Sequence, residues 1–453
     1  MPKIEWVKNG AGEKIYPPTI PQAVKDPFTG ISVYDAVFSG RFYGVERSRN
    51  VADPAFQAIG NMEMHRQLPL HNLIRGCKVC KDRVIRHLLH KQTWLKNDDG
   101  SPSVLDGSDG LDVALSYPDC YAILDGGTDT EIWAISDSPF SYKGIEAMRI
   151  KAFVTAHDYI TVDRTTNESR CIASDDPNFA GSGSGATAGG IGYPRTVTSR
   201  YNYEVCAENK GEKWNNWIYV DYMVLQAFMY IEYKTRNLKL HFPGIGQGWS
   251  GANWSAYNGY YPVIKILEAH KNISGNNMTG IYTKQFNFDV DGVPVEYNTD
   301  FGVYRGMILW GHLGKWKSGI DYEVQSEEDG GQSNVYVQFN PDKIDRNRSD
   351  SSFEFMNNYQ LMGQASRAGG WAKTTNPFAA QPATVGGGET TYGCFYFWNN
   401  IPATGRIRRG VFFGAHLNSG ARCALGSATS YRGGSRAHAT LGGGFRADEN
   451  KGG

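Results

Sequence analysis

From residue 391 through 447 the chain has no Asp, no Glu and no Lys, and from 406 through 447 it also lacks Gln, Met and Trp. Arg is the exception, at 406, 408, 409, 422, 432, 436 and 446. Such a stretch holds cations with no local counter-charge. It also lacks the carboxylate pair that glycoside hydrolysis usually places around the scissile bond. Other absences concern the whole chain. No run approaches the roughly 18 apolar residues of a membrane helix. The opening residues, MPKIEWVKNGAGEKIYPP, hold no apolar core of signal-peptide length. A formal net charge of zero argues against nucleic-acid or membrane-surface binding by bulk electrostatics. Cysteines number seven, an odd count, and lie scattered at 77, 80, 120, 171, 206, 394 and 423. Without a sign of secretion they are expected as free thiols.

With 453 residues, 40% hydrophobic and 20% charged, the chain is long enough for two or three domains with a sizeable core. Glycine, at 54, and aromatics, at 13%, suit β-rich, loop-rich domains with aromatic contact surfaces. Residues 1–55 show weak periodicity and read as an arm. In 56–195, Asp98-Asp99-Gly100, Asp106-Gly107 and Asp109-Gly110 are turn signals between short extended runs. Cys77 and Cys80 followed by His87 and His90 form C-x2-C-x6-H-x2-H, which is tighter than zinc-finger spacing. The Gly/Ser-rich run 181–185, with Gly189-Gly190-Ile191-Gly192 after it, is a linker or long loop. It is not a phosphate loop, because no Gly-Lys-Ser/Thr follows.

The clearest helix is expected over 214–235. Trp217, Val220, Val224, Phe228 and Ile231 make one apolar face, Asn215 or Asn216 can cap it, and Asp221 and Glu232 fall outside the stripe, toward solvent. The turn 244–249 follows. Alternation on both sides of Asp291-Gly292 predicts a hairpin. Asp289 with Asp291 does not open an EF-hand loop, because Val293 and Pro294 occupy its fifth and sixth positions. A short helix is expected within 353–370, with Met356, Tyr359 and Met362 inside, and an apolar strand over 394–398.

Near the C-terminus the pattern has period two. Ser427, Thr429 and Tyr431, then Arg436, His438 and Thr440, alternate with Ala428, Ser430, Ala437 and Ala439. In an extended strand this sets unrelated polar side chains on one face and small residues behind. The expectation is that Arg436, His438 and Thr440 face solvent together, with Ala437 and Ala439 packed behind them.

Arg409-Gly410-Val411-Phe412-Phe413-Gly414, Gly420-Ala421 and Gly444-Phe445-Arg446 resemble the variable region of retroelement-diversified proteins. That family has a C-type-lectin-like domain of the formylglycine-generating-enzyme branch, and its variable regions are similar to those of phage tail-fibre receptor-binding proteins. There, mutation of template adenines keeps Lys, Glu, Gln, Met and Trp rare at variable positions. The resemblance implies variable, receptor-binding positions at His416, Asn418, Ser419, Arg422, Ser427, Thr429, Tyr431, Arg432, Arg436, His438 and Thr440. It implies scaffold at Gly410, Gly414, Gly420, Ala421, Gly426, Gly433, Gly444 and Arg446. The triple glycine 442–444 departs from the family pattern, which has a shorter step. Within 73–121, the turns at 94–100 and 105–110 and the strand ending in Tyr117-Pro118 resemble a structural module of phage tail and gut-bacterial proteins.

The resulting expectation is an α+β chain with β-rich N-terminal modules followed by a C-type-lectin-like domain. Its segments are an assembly arm (1–55), a structural module (56–195) and the receptor-binding domain (196–453). The implied role is that of a virion tail adhesin for a host cell-surface receptor, glycan or protein. It would assemble with other tail proteins as a homotrimer, with no cofactor, no metal, no catalysis and no nucleic acid. The arginines favour an anionic target. The alternatives are a formylglycine-generating-type enzyme, in which Cys394 and Cys423 would have to act together, a glycan-processing enzyme, and a purely structural tail subunit.

Overall fold

A computed structural model describes residues 41–181, 190–246, 263–273, 278–290 and 292–451, without the side chains of Phe288, Asp289, Val290, Leu417 and Asn418. The expected arm therefore lies mostly outside the described residues, as do 182–189, 247–249 and Asp291. Strand outweighs helix, 38% to 15%, so the chain is α+β and β-rich.

Three sheets surround one long helix. The first runs Met148–Ile150, Cys120–Gly126, Thr130–Ser136, Phe42–Ser48, Gln57–Gly60. The second runs Arg446–Asp448, Phe153–Ala156, Asp112–Tyr117, Arg75–Val79, Ile85–Leu88. The third runs Gln360–Gln364, Ser333–Val337, Gly314–Gln325, Arg406–Phe413, Ala428–Ser430, Tyr396–Asn399, Gly370–Asn376, Gln381–Val385. Leu441–Gly442 adds to it in parallel beside Gly314 and Lys315. Strand pairing and the core both cross the expected boundary at 195/196. Arg446–Asp448 pairs with Phe153–Thr155 of the second sheet, and a single buried core reaches from Tyr43 to Ala447. The Gly/Ser-rich run lies almost wholly outside the described residues, and beside it Gly181 N–H donates to the Gly190 carbonyl at 3.1 Å.

The long helix is Tyr219–Tyr233, one turn later than expected. Asn215 and Asn216 do not cap it. Asn215 exchanges backbone hydrogen bonds with Arg446, and the Asn216 amide donates to Ser318 at 3.3 Å and accepts from Gly444 N–H at 3.2 Å. The apolar stripe is not a single face either. Met223, Leu225, Ala227, Met229 and Tyr230 are buried along with the expected set, as befits a helix covered by sheets on several sides. Asp221 is ion-paired to Arg446 at 2.7 Å and Glu232 to Arg305 at 3.1 Å, so neither is simply solvated. Both corrections have one cause: tertiary partners sit where a surface helix would meet water.

The expected hairpin forms, Gly280–Val290 against Val293–Tyr304 with Val290 opposite Val293. Within 353–370 there is no α-helix. A 3-10 turn, Glu354–Asn357, leads into the strand Gln360–Gln364, and the apolar residues inside are Phe355 and Tyr359. Gly100, Gly107 and Gly110 have positive φ, as their turns require. Cys77 is buried in a sheet strand, and among the described residues no His/Cys/Asp/Glu cluster has the makings of a metal site.

Two buried charge networks hold these layers in register. Asp321, on the central strand Gly314–Gln325, is fully buried between Arg200 at 2.8 Å and Arg408 at 3.0 Å. Arg408 also reaches Asp345 at 2.6 Å. Glu131 accepts from Arg47 at 2.9 Å and Arg236 at 2.6 Å, and Arg49 reaches Asp125 at 2.7 Å and Thr375 at 2.7 Å. Burial by itself pushes the Asp321 and Glu131 carboxyls up. The flanking guanidiniums outweigh it and hold both below the usual carboxylate range. Removing one partner of such a network strands the other charges in the interior. Asp321→Asn is expected to cost about 3–5 kcal/mol in urea denaturation at pH 7. A loss below about 1 kcal/mol would contradict this role for the network. The two lowered carboxyls contribute stability that is complete above the unfolded pKa of about 4 and fades as pH falls below it. Equilibrium unfolding followed by circular dichroism should therefore show a drop beginning near pH 4 and deepening toward pH 2, and a flat profile there would contradict it.

Candidate functional site

The chemistry of the site begins with what holds its floor. The strand Arg406–Phe413 pairs with the central strand on one side and with Ala428–Ser430 on the other. Val411 and Phe413 are fully buried, and Phe413 stacks on Tyr219 of the long helix at 5.1 Å. Tyr222 of the same helix donates to the Leu425 carbonyl at 2.5 Å. On the opposite side of this backing lies a pocket of about 400 Å³.

The pocket gathers His416, Ser419, Arg422, Thr429, Tyr431, Arg432, Arg436, His438 and Thr440, nine of the eleven candidate positions. Its remaining lining is Trp398, Phe412, Ala415 and Leu441. Of the other two candidates, the Asn418 side chain lies outside the described residues. Ser427 is fully buried and does not face the pocket. Its hydroxyl donates to the Arg422 carbonyl at 2.5 Å and accepts from Tyr396 N–H at 3.2 Å. It is a clasp between two strands rather than a surface position.

The period-two strand expected over 435–441 is not there. Residues 431–440 run through successive turns, with Arg436 N–H donating to Gly433 O at 3.2 Å and Leu441 N–H to His438 O at 3.1 Å. The turn is held from outside its own sequence. Asp350 accepts from the Ser435 hydroxyl and from Tyr201 at 2.8 Å, and the Tyr201 ring lies against the Gly434 Cα. With the backbone polar groups satisfied this way, no ladder partner is needed. The expected exposures change accordingly. Arg436 is exposed and His438 partly buried, but Thr440 is buried at the pocket floor, and only Ala439 of the two alanines is packed away.

The pocket is graded from bottom to rim. Phe412, Ala415, Thr440 and Leu441 are buried and make the floor. His438 Nδ1 lies 3.3 Å from the Thr440 N–H and 2.9 Å from the Thr440 hydroxyl. Burial lowers the His438 pKa, with Arg436 and Arg432 adding to the effect; burial and the nearness of His438 lower that of His416 to about 3. Both imidazoles are thus neutral at physiological pH. At the rim Arg422, Arg432 and Arg436 are exposed, and among the described residues no carboxylate pairs with any of them. Arg422 lies over the Tyr396 ring and Arg432 over the Tyr431 ring, each at 4.6 Å. Of the other arginines of this stretch, Arg406 pairs with Glu323, Arg408 with Asp321 and Arg446 with Asp221, while Arg409 donates to the Asn400 carbonyl at 3.4 Å. No Asp, Glu or Lys lines the pocket.

The triple glycine has a packing reason. A Cβ on Gly442, Gly443 or Gly444 would fall 2.4, 2.4 and 2.0 Å from the rings of Tyr159, Tyr203 and Trp217. Three aromatic faces lie on bare backbone there, bringing the end of the chain back onto the core. Gly420, at φ 57° and ψ −135°, occupies backbone space that side chains rarely allow, and it shapes the 3-10 segment Leu417–Arg422 at the pocket edge. Sequence reasoning missed Trp398, Phe412 and Leu441 as pocket residues and Asp350 and Tyr201 as its supports. Trp398 alone carried a signal, through its alternation with Tyr396.

No known family model matches the chain, and no curated protein matches it.

Floor and rim should respond differently to substitution. Gly444→Ala forces a methyl into the Trp217 ring and is expected to cost about 1–3 kcal/mol by overpacking. Arg436→Ser, at an exposed position, should stay within about 0.5 kcal/mol of the parent. Differential scanning calorimetry of the two variants checks this, and equal melting temperatures would contradict it.

Proposed function

We propose that this protein is a receptor-binding protein of a phage tail, with residues 196–453 forming a C-type-lectin-like domain whose pocket is open to diversification. Its partners are then a host cell-surface receptor and the neighbouring tail proteins, with a homotrimer as the assembly. The observation that supports this reading is the convergence of nine candidate positions, spread from 416 to 440, on one concavity. Of the positions assigned to scaffold on the same resemblance, Gly410, Gly414, Gly426, Gly433, Gly444 and Arg446 are buried, Gly420 is partly buried and Ala421 is exposed. Among the pocket positions Arg422, Tyr431, Arg432 and Arg436 are exposed, where substitution is best tolerated, whereas Thr429 and Thr440 are buried.

Enzymatic readings draw less from the site. The pocket has no carboxylate to serve as acid or base. Burial pushes the Cys394 and Cys423 thiols up to about 12, so neither is a ready thiolate. A purely structural subunit leaves the convergence without a reason.

Two measurements test the proposal. Deep sequencing of the gene across related isolates should concentrate substitutions at the pocket positions and spare Ser427 and the buried glycines, and an even spread of substitutions would contradict diversification. Replacing Arg422, Arg432 and Arg436 together by serine should leave the melting temperature unchanged while cutting attachment to susceptible bacterial cells at least tenfold, about 1.4 kcal/mol. Undiminished attachment would remove the pocket from receptor binding.

A further inference from the structure

Resting on the receptor-binding reading, we infer that the pocket takes one terminal sugar residue bearing an oxyanion, either a carboxylate or a phosphate. Its volume of about 400 Å³ falls in the range of about 300–1,000 Å³ typical of small-molecule sites. It is a partly open concavity rather than a sheet edge or a long apolar groove, the two features by which extended peptides and amphipathic helices are read.

The three chemical zones of the pocket match three parts of such a ligand. Arg422, Arg432 and Arg436 line it without carboxylate partners among the described residues, so their planar forks are available to an oxyanion. Arg422 and Arg432 lie over Tyr396 and Tyr431, which limits their freedom before binding. Trp398 and Tyr431 offer aromatic surface in the same cavity, and an apolar sugar face packs on such surface. Thr429, Ser419 and His438 also line the cavity, where hydroxyls would lie. These groups are polar and uncharged, since the imidazole is neutral at physiological pH. Such a floor hydrogen-bonds hydroxyls without demanding a second charge, and low-dielectric walls strengthen the attraction of the rim cations for one anion. A neutral sugar would leave the rim charges unanswered, and an apolar ligand would strand the floor polar groups.

The test is ligand-observed NMR titration of the full chain with glucuronate, glucose 6-phosphate, glucose and hexaglutamate, at low salt and at 0.5 M NaCl. At least one of the two anionic sugars should bind at least tenfold more tightly than glucose and than hexaglutamate. That preference should shrink severalfold at high salt and be lost in the triple arginine-to-serine variant. Glucuronate ahead of glucose 6-phosphate assigns a carboxylate, and the reverse order a phosphate. Glucose binding as tightly as the anionic sugars, hexaglutamate binding more tightly, or no saccharide binding at all would overturn the inference. Ser419→Trp, which fills the pocket from its edge, separates this from failure of the underlying reading, provided its melting temperature matches the parent. If it abolishes cell attachment while no anionic sugar binds, receptor binding stands and the ligand class falls. If cells still attach, the receptor-binding reading falls with it.

Discussion

Asp321 sits with no solvent exposure between Arg200, from the helix Arg200–Lys210, and Arg408, from the strand under the pocket. A carboxylate in that position is tolerable because both guanidiniums are present, and Asp321 is the carboxylate that the two guanidiniums share. The helix, the central strand and the pocket strand are therefore fixed in one register. Arg408 carries the constraint onward to Asp345, and its backbone N–H donates to the Asp350 carbonyl at 2.9 Å. Asp350 in turn holds the turn that delivers Arg432, Arg436 and His438 to the pocket. The mouth of the site thus hangs from an ion pair in the interior.

Six of the seven arginines of the acid-free stretch fall into two populations, and Arg409, bonded to the Asn400 carbonyl, stands apart from both. Arg406, Arg408 and Arg446 are answered by Glu323, Asp321 and Asp221, all from other parts of the sequence. Arg422 and Arg432 lie over aromatic rings, and neither they nor Arg436 has a carboxylate partner among the described residues. The missing carboxylates of residues 391–447 are supplied to the fold from elsewhere and withheld from the pocket.

Much of this was legible in the sequence where the signal was local. The hairpin around Asp291-Gly292, the turns at Gly100, Gly107 and Gly110, the burial of Val411 and Phe413 and the long helix follow from period, turn chemistry and apolar runs. What was not legible is tertiary. Alternation over 436–440 looked like a strand, because nothing nearby announces that Asp350 and Tyr201 hold the segment in turns. Ser427 shares the small polar character of its neighbours, and only its contacts to Tyr396 and Arg422 make it interior. Asp221 and Glu232 read as solvated because their arginine partners are 225 and 73 residues away. The glycines 442–444 looked like an irregular step until three aromatic rings were found lying on them.

The separation of a fixed body from a changeable pocket is the claim on which the functional account rests. It is tested most directly by a library in which His416, Ser419, Arg422, Thr429, Tyr431, Arg432, Arg436, His438 and Thr440 are randomised together, scored for soluble protein with cooperative unfolding. Most members should fold with melting temperatures close to the parent, whereas a matched library at Ser427, Gly433, Gly434, Gly442, Gly443 and Gly444 should not. Collapse of the first library to few folded members would show that the pocket residues belong to the scaffold and would contradict the account.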